Sequence, residues 1–447
     1  MLVFACGKPE ELQQKPDPLE QNSQTPEDPE NNPETPPDSP ATPDKIMAVL
    51  APEVSAQIRS VSLSEAGEAY NQAARGFAFR LLDALYEGES MIVSPLSLQM
   101  ALSMAASGAQ GETLKEILDA LGFGALGKDA MNEYSQSLLN QLPAVDTSIC
   151  LQMANAMVVR DDIKVADAYR NNLATYYYAN AENLDFGQPE QVMQVVNDWC
   201  NRNTHGLIPK ILENVDPLTL AYLMNALYLK AGWFSPFDPE HQVIKNQDFR
   251  KENGSVRVDY LADGGEFGYV DRESYRVAFR PLGGRGRYSF VVFLPKKDDG
   301  LKAMLAQMSG MDWNALQKEM YSQRLLWRIP KFETSSSFKD LVGTMTKMGV
   351  NRAFTVDAEF DMFEMPGTGK TMPAYISSII QKAKISLDED GIEAAAATIL
   401  GMAGDPGPGE PRPDPIEFYA DHPFAYLILE YTSGTILFTG VFDGNED

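Results

Sequence analysis

The side chains that most often do chemistry are thinly spread through this sequence of 447 residues. Its three histidines, His205, His241 and His422, stand far apart and offer no metal cluster and no catalytic triad. Three cysteines, Cys6, Cys150 and Cys200, have no metal-ligand spacing and cannot build a disulfide framework. Cys150 and Cys200 read as reduced core residues, because free cysteine is among the most buried residue types. The acidic run DAEFDMFE at 357–364 has the charge of a calcium loop without its spacing, and reads as solvated loop. No GxSxG, HExxH or P-loop pattern occurs. What remains is chemistry done to the chain. Residues 384–405, KISLDEDGIEAAAATILGMAGD, start with strand alternation, cross an acidic turn and a glycine, and then run through four alanines of helix-like composition. As a strand this stretch turns Ile392, Ala394, Ala396, Thr398 and Leu400 to one face and Glu393, Ala395, Ala397 and Ile399 to the other. Small side chains on both faces suit a segment that must enter a crowded place.

Within it, EDGIEAAAAT at 389–398 matches a known pattern of Glu, any residue, Gly, a small residue, Glu and several alanines. The chain therefore resembles a serpin, and the match is to the hinge of the serpin reactive-centre loop. By this resemblance Glu389, Gly391, Ile392, Glu393, Ala394, Ala395, Ala396, Ala397 and Thr398 are hinge residues. The resemblance extends along the chain. Ser94 and Ser97 match two serines beneath the centre of the main sheet, where strands must part, and Asn225 matches an asparagine that hydrogen-bonds there. Trp233 matches the tryptophan at the site of loop entry, and Lys331 the lysine that pairs with the glutamate at the loop base, here Glu389. The plainer readings stand beside these: Ser94 caps a helix whose first position is Pro95, and Trp233 is a core residue. His422, in ADHPF, reads as structural. The sequence departs from the family pattern at three places. Ile392 stands where threonine, serine or valine is usual, Gln381 where histidine is usual, and Ala425 where a larger apolar residue is usual.

The resemblance implies an α+β serpin fold: a large, mostly antiparallel central sheet, further sheets, eight to nine helices and an exposed reactive loop at about 389–415. It implies a protein that is not an enzyme and needs no cofactor, a suicide inhibitor of serine and possibly papain-like endopeptidases. The protease attacks a bond in the loop and forms an acyl-enzyme, and the cut loop then enters the sheet as a new strand. Fifteen residues at about 3.3 Å each span about 50 Å, comparable with the width of a 400-residue domain whose radius of gyration is about 21 Å. A bond among Met402, Ala403, Gly404 and Asp405 is the expected cleavage site, because Pro406 and Pro413 disfavour cutting after Asp405 and after Arg412. Small and apolar neighbours there point to an elastase-, subtilisin- or papain-like target. The alternative is a non-inhibitory member of the fold: a chaperone, a carrier or a protease substrate.

The formal charge of −26 and the absence of a basic stripe argue against nucleic acid. Residues 126–142, where the family's heparin-responsive members carry a basic helix, contain only Lys128, so no glycosaminoglycan partner is expected. No stretch reaches the roughly 18 apolar residues of a membrane span. The start, MLVFACGK, reads as the end of a bacterial lipoprotein signal, with residues 1–6 as its remnant and Cys6 as the lipidated residue. Ten prolines and ten acids then make 7–45 a disordered tether. The expectation is a monomer at the cell surface or outside the cell, touching the membrane only through its lipid, with one serpin domain at 46–447. Within the domain, helices are expected at 70–86, 192–206 and within 337–354, and strands at 153–159, 288–294 and 326–332.

Overall fold

A computed structural model describes residues 1–5, 60–216, 218–365, 367–393 and 414–444. Cys6, the tether at 7–45, Ala394, Ala395, Ala396, Ala397, Thr398, Met402, Ala403, Gly404 and Asp405 lie outside the described residues. In chain order the elements begin with β1 (Leu2–Ala5), α1 (Glu65–Leu85), β2 (Met91–Val93), α2 (Pro95–Ser107), α3 (Gly111–Leu121), α4 (Lys128–Val145) and β3 (Cys150–Arg160). Next come β4 (Lys164–Val165), α5 (Asp167–Tyr177), β5 (Asn180–Leu184), α6 (Pro189–Asn203), β6 (Thr219–Gly232), β7 (Val243–Lys251) and β8 (Gly254–Asp271). Then follow β9 (Tyr275–Leu282), β10 (Tyr288–Pro295), α7 (Leu301–Met308), α8 (Trp313–Glu319), β11 (Tyr321–Pro330), β12 (Phe332–Phe338) and α9 (Val342–Lys347). The last are β13 (Phe363–Glu364), β14 (Tyr375–Ile379), β15 (Gln381–Leu387), β16 (Gly391–Ile392), β17 (Ile416–Tyr419), β18 (Phe424–Glu430) and β19 (Thr435–Phe442).

Local chemistry sets several of these boundaries. Ser64 caps α1 by accepting from the Gly67 amide at 3.1 Å, and Glu65 and Glu68 in the first turn suit the helix dipole. Pro95 opens α2, where its missing N–H costs nothing, and the helix is apolar enough to be buried almost all round. Every residue of β10, YSFVVFLP, is buried, as a strand covered on both faces requires.

The fold is α+β, with three sheets and nine α-helices among the described residues. The central sheet has eight strands. Across it run β5, β3 and β6, then a seam, then β14 and β15 end to end, with β12 beyond β15. Two short strands occupy the seam at different heights: β16 between β6 and β15, and β1 between β6 and β14. A nine-stranded sheet runs β17-β11-β8-β9-β10-β18-β19-β2, with β7 on β8, and β4 pairs with β13. The main core draws on both large sheets and on α1, α2 and α4. A smaller core lies on the other face of the central sheet, where Val192, Val196 and Trp199 of α6 cover Ala156, Tyr222 and Met224.

Three expectations change. The run at 326–332 is not one strand but the end of β11 and the start of β12, which belong to different sheets. Pro330 has no N–H to continue the ladder, and Lys331 turns the corner with its amide on Asp259 O at 2.7 Å. The helix expected within 337–354 shrinks to α9, because β12 takes the chain as far as Phe338 by pairing with β15. Cys200 is buried, but Cys150 is exposed at the first residue of β3, where a strand end leaves its side chain to solvent.

Candidate functional site: the seam of the central sheet

At the top of the seam the chain leaves β15 at Leu387, turns through Asp388, Glu389 and Asp390, and returns as β16. The Asp388 carboxylate accepts from the amides of Asp390 at 2.9 Å and Gly391 at 3.2 Å, closing the turn. Gly391 then lies opposite Gly232, and Ile392 opposite Ala231 on one side and Leu387 on the other. Only glycine fits at 391: its φ is +143°, and a Cβ there would stand 2.3 Å from Ala231 O. Ile392 is buried in the main core, so the larger side chain at this position is accommodated.

Aromatic and charged groups hold this turn. The Trp233 indole Nε1 donates to Asp388 O at 2.8 Å, the Trp233 amide to Asp390 O at 3.0 Å, and the Phe237 amide to Glu389 O at 3.1 Å. Behind both rings lies Arg280, 2% exposed, its guanidinium 3.9 Å from the Phe237 centroid and 5.3 Å from that of Trp233. Burial draws the Arg280 pKa down to about 10, against the Asp263 carboxylate 3.0 Å away that supports the charge. Lys331 pairs with Glu389 as the resemblance implies. Partial burial pushes the Glu389 carboxyl up, but the Lys331 hydrogen bond and charge outweigh it, and the net shift is downward. The neighbours go the other way. Burial raises Asp390, helped by Asp388 and Glu389, and burial raises Glu393 despite a hydrogen bond with Tyr228 and the nearby Lys230 and Lys384.

Below Ile392 the seam is open. A cleft of about 30 Å³ lies between Asn225 and Leu227 of β6 and Gln381 and Ala383 of β15, above Ser94 and Ser97. Ser94 caps α2, the plainer of its two readings, and lies beside the cleft. Its Oγ accepts from the Ser97 amide at 3.1 Å as the α2 cap and donates to Leu437 O at 2.8 Å, tying the helix to the second sheet. Gln381, in the histidine's place, grips the Ser94 backbone from both sides: Nε2 donates to Ser94 O at 2.9 Å, and Oε1 accepts from Ser94 N at 3.3 Å. Its amide thus serves the serine and not Asn225. Asn225 Nδ2 donates instead to Asn155 Oδ1 at 2.7 Å, while Asn225 Oδ1 is buried without a partner among the described residues. A buried acceptor left unpaired costs about 1–3 kcal/mol, so the middle of the seam is not a finished piece of sheet.

The bottom of the seam is filled by β1, which no sequence reading placed there. Leu2, Val3 and Phe4 lie opposite Leu223, Tyr222 and Ala221 of β6 and opposite Ile379, Ser378 and Ile376 of β14, antiparallel to both. All of Met1 to Ala5 is buried. Leu2 and Phe4 enter the main core, with Phe4 edge-on to Phe360 at 5.4 Å and Phe363 at 6.1 Å, while Val3 enters the smaller core under α6. This strand has the apolar composition that the sequence reading gave to a signal.

The scattered reactive residues do not converge. His422 is 4% exposed, with Nε2 on Pro295 O at 2.8 Å and Nδ1 on Asp421 at 3.0 Å, a structural bridge. His205 bonds Gln152 and His241 bonds Asp238, both at the surface. Burial pushes the Cys200 thiol up to about 11, which leaves it protonated. In the acidic run, Glu359 accepts from the amides of Glu112 at 2.8 Å and Thr113 at 3.3 Å, serving the N-terminus of α3.

Comparisons with known proteins agree with this architecture. A family model described as Serpin (serine protease inhibitor) matches residues 72–443. An uncharacterized serpin-like protein of Thermococcus kodakarensis is 30% identical over 370 residues, covering 82% of this chain and 84% of its own. Serine protease inhibitor 42Dd of Drosophila melanogaster is 29% identical over 378 residues, covering 81% and 93%. The crystal structure of the thermophilic serpin tengpin in its native state shares the fold, with a TM-score of 0.75 and 24% identity over 86% of this chain and 96% of that one. Where these descriptions name an activity, it is inhibition and not catalysis.

Proposed function

The chain belongs to the serpin family, and on that premise we propose that it is a suicide inhibitor of endopeptidases with elastase-, subtilisin- or papain-like preference. One observation carries the reading: Gly391 and Ile392 are already seated at the top of a seam whose middle is open below them. The loop can extend that strand once Glu393, whose φ of +49° now turns the chain out of β16, becomes extended. In this mechanism the protease nucleophile attacks the carbonyl of Met402, Ala403 or Gly404, the peptide bond between Met402 and Asp405 breaks, and the new amine leaves with the C-terminal part of the loop. The acyl half stays on the protease. Residues from Glu393 onward then pair with β6 and β15 and drag the protease across the sheet. Distortion of its oxyanion hole stops deacylation, since loss of a single donor there slows the step about a hundred- to a thousandfold. Ala394 and Ala396 fall on the face that enters the main core, where a charged side chain would halt insertion.

The protein works as a monomer, without a cofactor, nucleic acid or glycosaminoglycan. It is anchored outside the cell through a lipid on Cys6, with the Pro-rich acidic stretch at 7–45 as its tether. The MLVFAC start and the tether composition support the anchor. The test is to incubate the protein with elastase, subtilisin, papain and trypsin, look for an SDS-resistant complex, and sequence the released peptide. A complex with one of the first three, and a peptide beginning at residue 403, 404 or 405, is expected. Turnover of the loop by every protease, with no complex and no rise in thermal stability, would refute the inhibitor reading.

A further inference from the structure

We propose that β1 is a removable plug that holds the lower seam in place of the far end of the reactive loop, so that full loop insertion requires Leu2–Ala5 to leave. The register argues this. Ile392 lies opposite Ala231, and in antiparallel pairing each step forward in the loop is one step back in β6. Continued at that register, the loop sets Leu400 opposite Leu223, Gly401 opposite Tyr222 and Met402 opposite Ala221. Those three positions are held by Leu2, Val3 and Phe4. The strand direction is the same, since β1 and β16 both run antiparallel to β6. The faces agree as well. Ile392, Leu2 and Phe4 share the main core, which is the face on which Leu400 and Met402 would fall. The sequences align residue for residue, MLVFA at 1–5 against ILGMA at 399–403, with leucine and alanine at the same positions and Phe4 in the place of Met402. Val3 also fills the space under α6 that Gly401 would leave empty.

An inserting loop would therefore part β6 from β15, starting at the narrow cleft, as far as about residue 398 before it meets Met1, which borders that cleft. Beyond that point the two strands exclude each other. Cleavage in front of Cys6, which the proposed lipid anchor requires, would separate Leu2–Ala5 from the rest of the chain, so the restraint would act only in the uncleaved form.

The plug itself is independent of protease inhibition; its effect on rate rests on the inhibitor reading. The test is hydrogen exchange with mass spectrometry on the full chain, before and after the loop is cut by a protease, beside trapping kinetics of the full chain and of a chain lacking residues 1–5. Amides of Leu2–Ala5 protected before cutting and freely exchanging after it are expected. The shortened chain should trap its protease about tenfold faster, and a capped MLVFA peptide added to it should restore the slower rate. Rapid exchange at Leu2–Ala5 in the uncut chain, or protection that persists after the loop has inserted, would overturn the plug. So would equal trapping rates where both chains do trap the protease. If neither chain traps a protease while Leu2–Ala5 is protected, the inhibitor reading fails and the plug is supported. Because the exchange arm uses the unmodified chain, a shortened chain that folds poorly leaves it decisive.

Discussion

The two ends of the seam are closed by short strands that pair with the same neighbour, β6, in the same direction, yet they are held by opposite means. At the top, β16 is two residues long and is fixed by what surrounds its backbone: three hydrogen bonds from Trp233 and Phe237, an Arg280 stacked behind them, and the Lys331–Glu389 pair. It is also continuous with β15 through a tight turn, so the entropic cost of keeping it in place is small. At the bottom, β1 arrives across a long intervening stretch of chain and is held by burial on both faces. Burying Met1, Leu2, Val3 and Phe4 contributes about 6–12 kcal/mol, while fixing the five backbone units of Met1 to Ala5 costs about 5–10 kcal/mol. The two nearly cancel. The top is thus a fixed start for a strand, and on the plug proposal the bottom is an occupant that can be exchanged.

Substitutions that act on one end and not the other sharpen this contrast. The largest effect is expected from Ala396→Arg, which leaves the clasp and β1 untouched but places a charge on the core-facing side of the inserting loop. It should convert the inhibitor into a substrate, read as loss of the SDS-resistant complex with cleavage retained. Trp233→Ala removes two ring contacts and the indole hydrogen bond, and should cost about 3–5 kcal/mol of stability, measured by denaturant unfolding, with earlier exchange at the Gly391 and Ile392 amides. Asn225→Ala strands Asn155 Oδ1 but also removes the unpaired Asn225 Oδ1, so it should cost less, about 1 kcal/mol. Smallest is Lys331→Met, at well under 1 kcal/mol, because the ion pair is partly exposed and screened.

The acids of the hinge give the contrast a pH dependence of two signs. Glu389 sits below its ordinary value of 4.5, so its contribution is present above 4.5 and fades as pH falls through the lowered value. Glu393 sits above 4.5, so its contribution is full below 4.5 and is lost as pH rises through the raised value. Acidification should therefore first favour seating of Glu393 and only later release the Glu389 clasp, and Glu393→Gln should weaken the first phase, leaving the smaller contribution of Asp390, which is raised in the same sense. Thermal midpoints measured across this range would separate the two.

The turn into β16 was legible in the sequence because its signal is local: a glycine between acids, which at φ +143° packs against the Ala231 backbone where no Cβ fits. Trp233, Lys331, Ser94 and Gln381 were legible through spacing, and each meets a partner in the seam. The strand β1 was not. Met1 to Ala5 has the composition that a signal and a buried strand share, and its partners Leu223 and Ile379 lie hundreds of residues away. Strand pairing across such distances leaves no periodic trace in five residues. The split at Pro330 was visible as a proline, but the assignment of its two sides to different sheets depends on Asp259 and Leu387, which meet it only in three dimensions.

The most direct measurement is the structure of the protein after its loop has been cut. The account predicts residues 393–402 as a strand between β6 and β14–β15, with Leu400 beside Leu223 and Met1 to Ala5 displaced from the sheet. A cut loop left outside the seam, with Leu2–Ala5 still paired to β6 and β14, would contradict it.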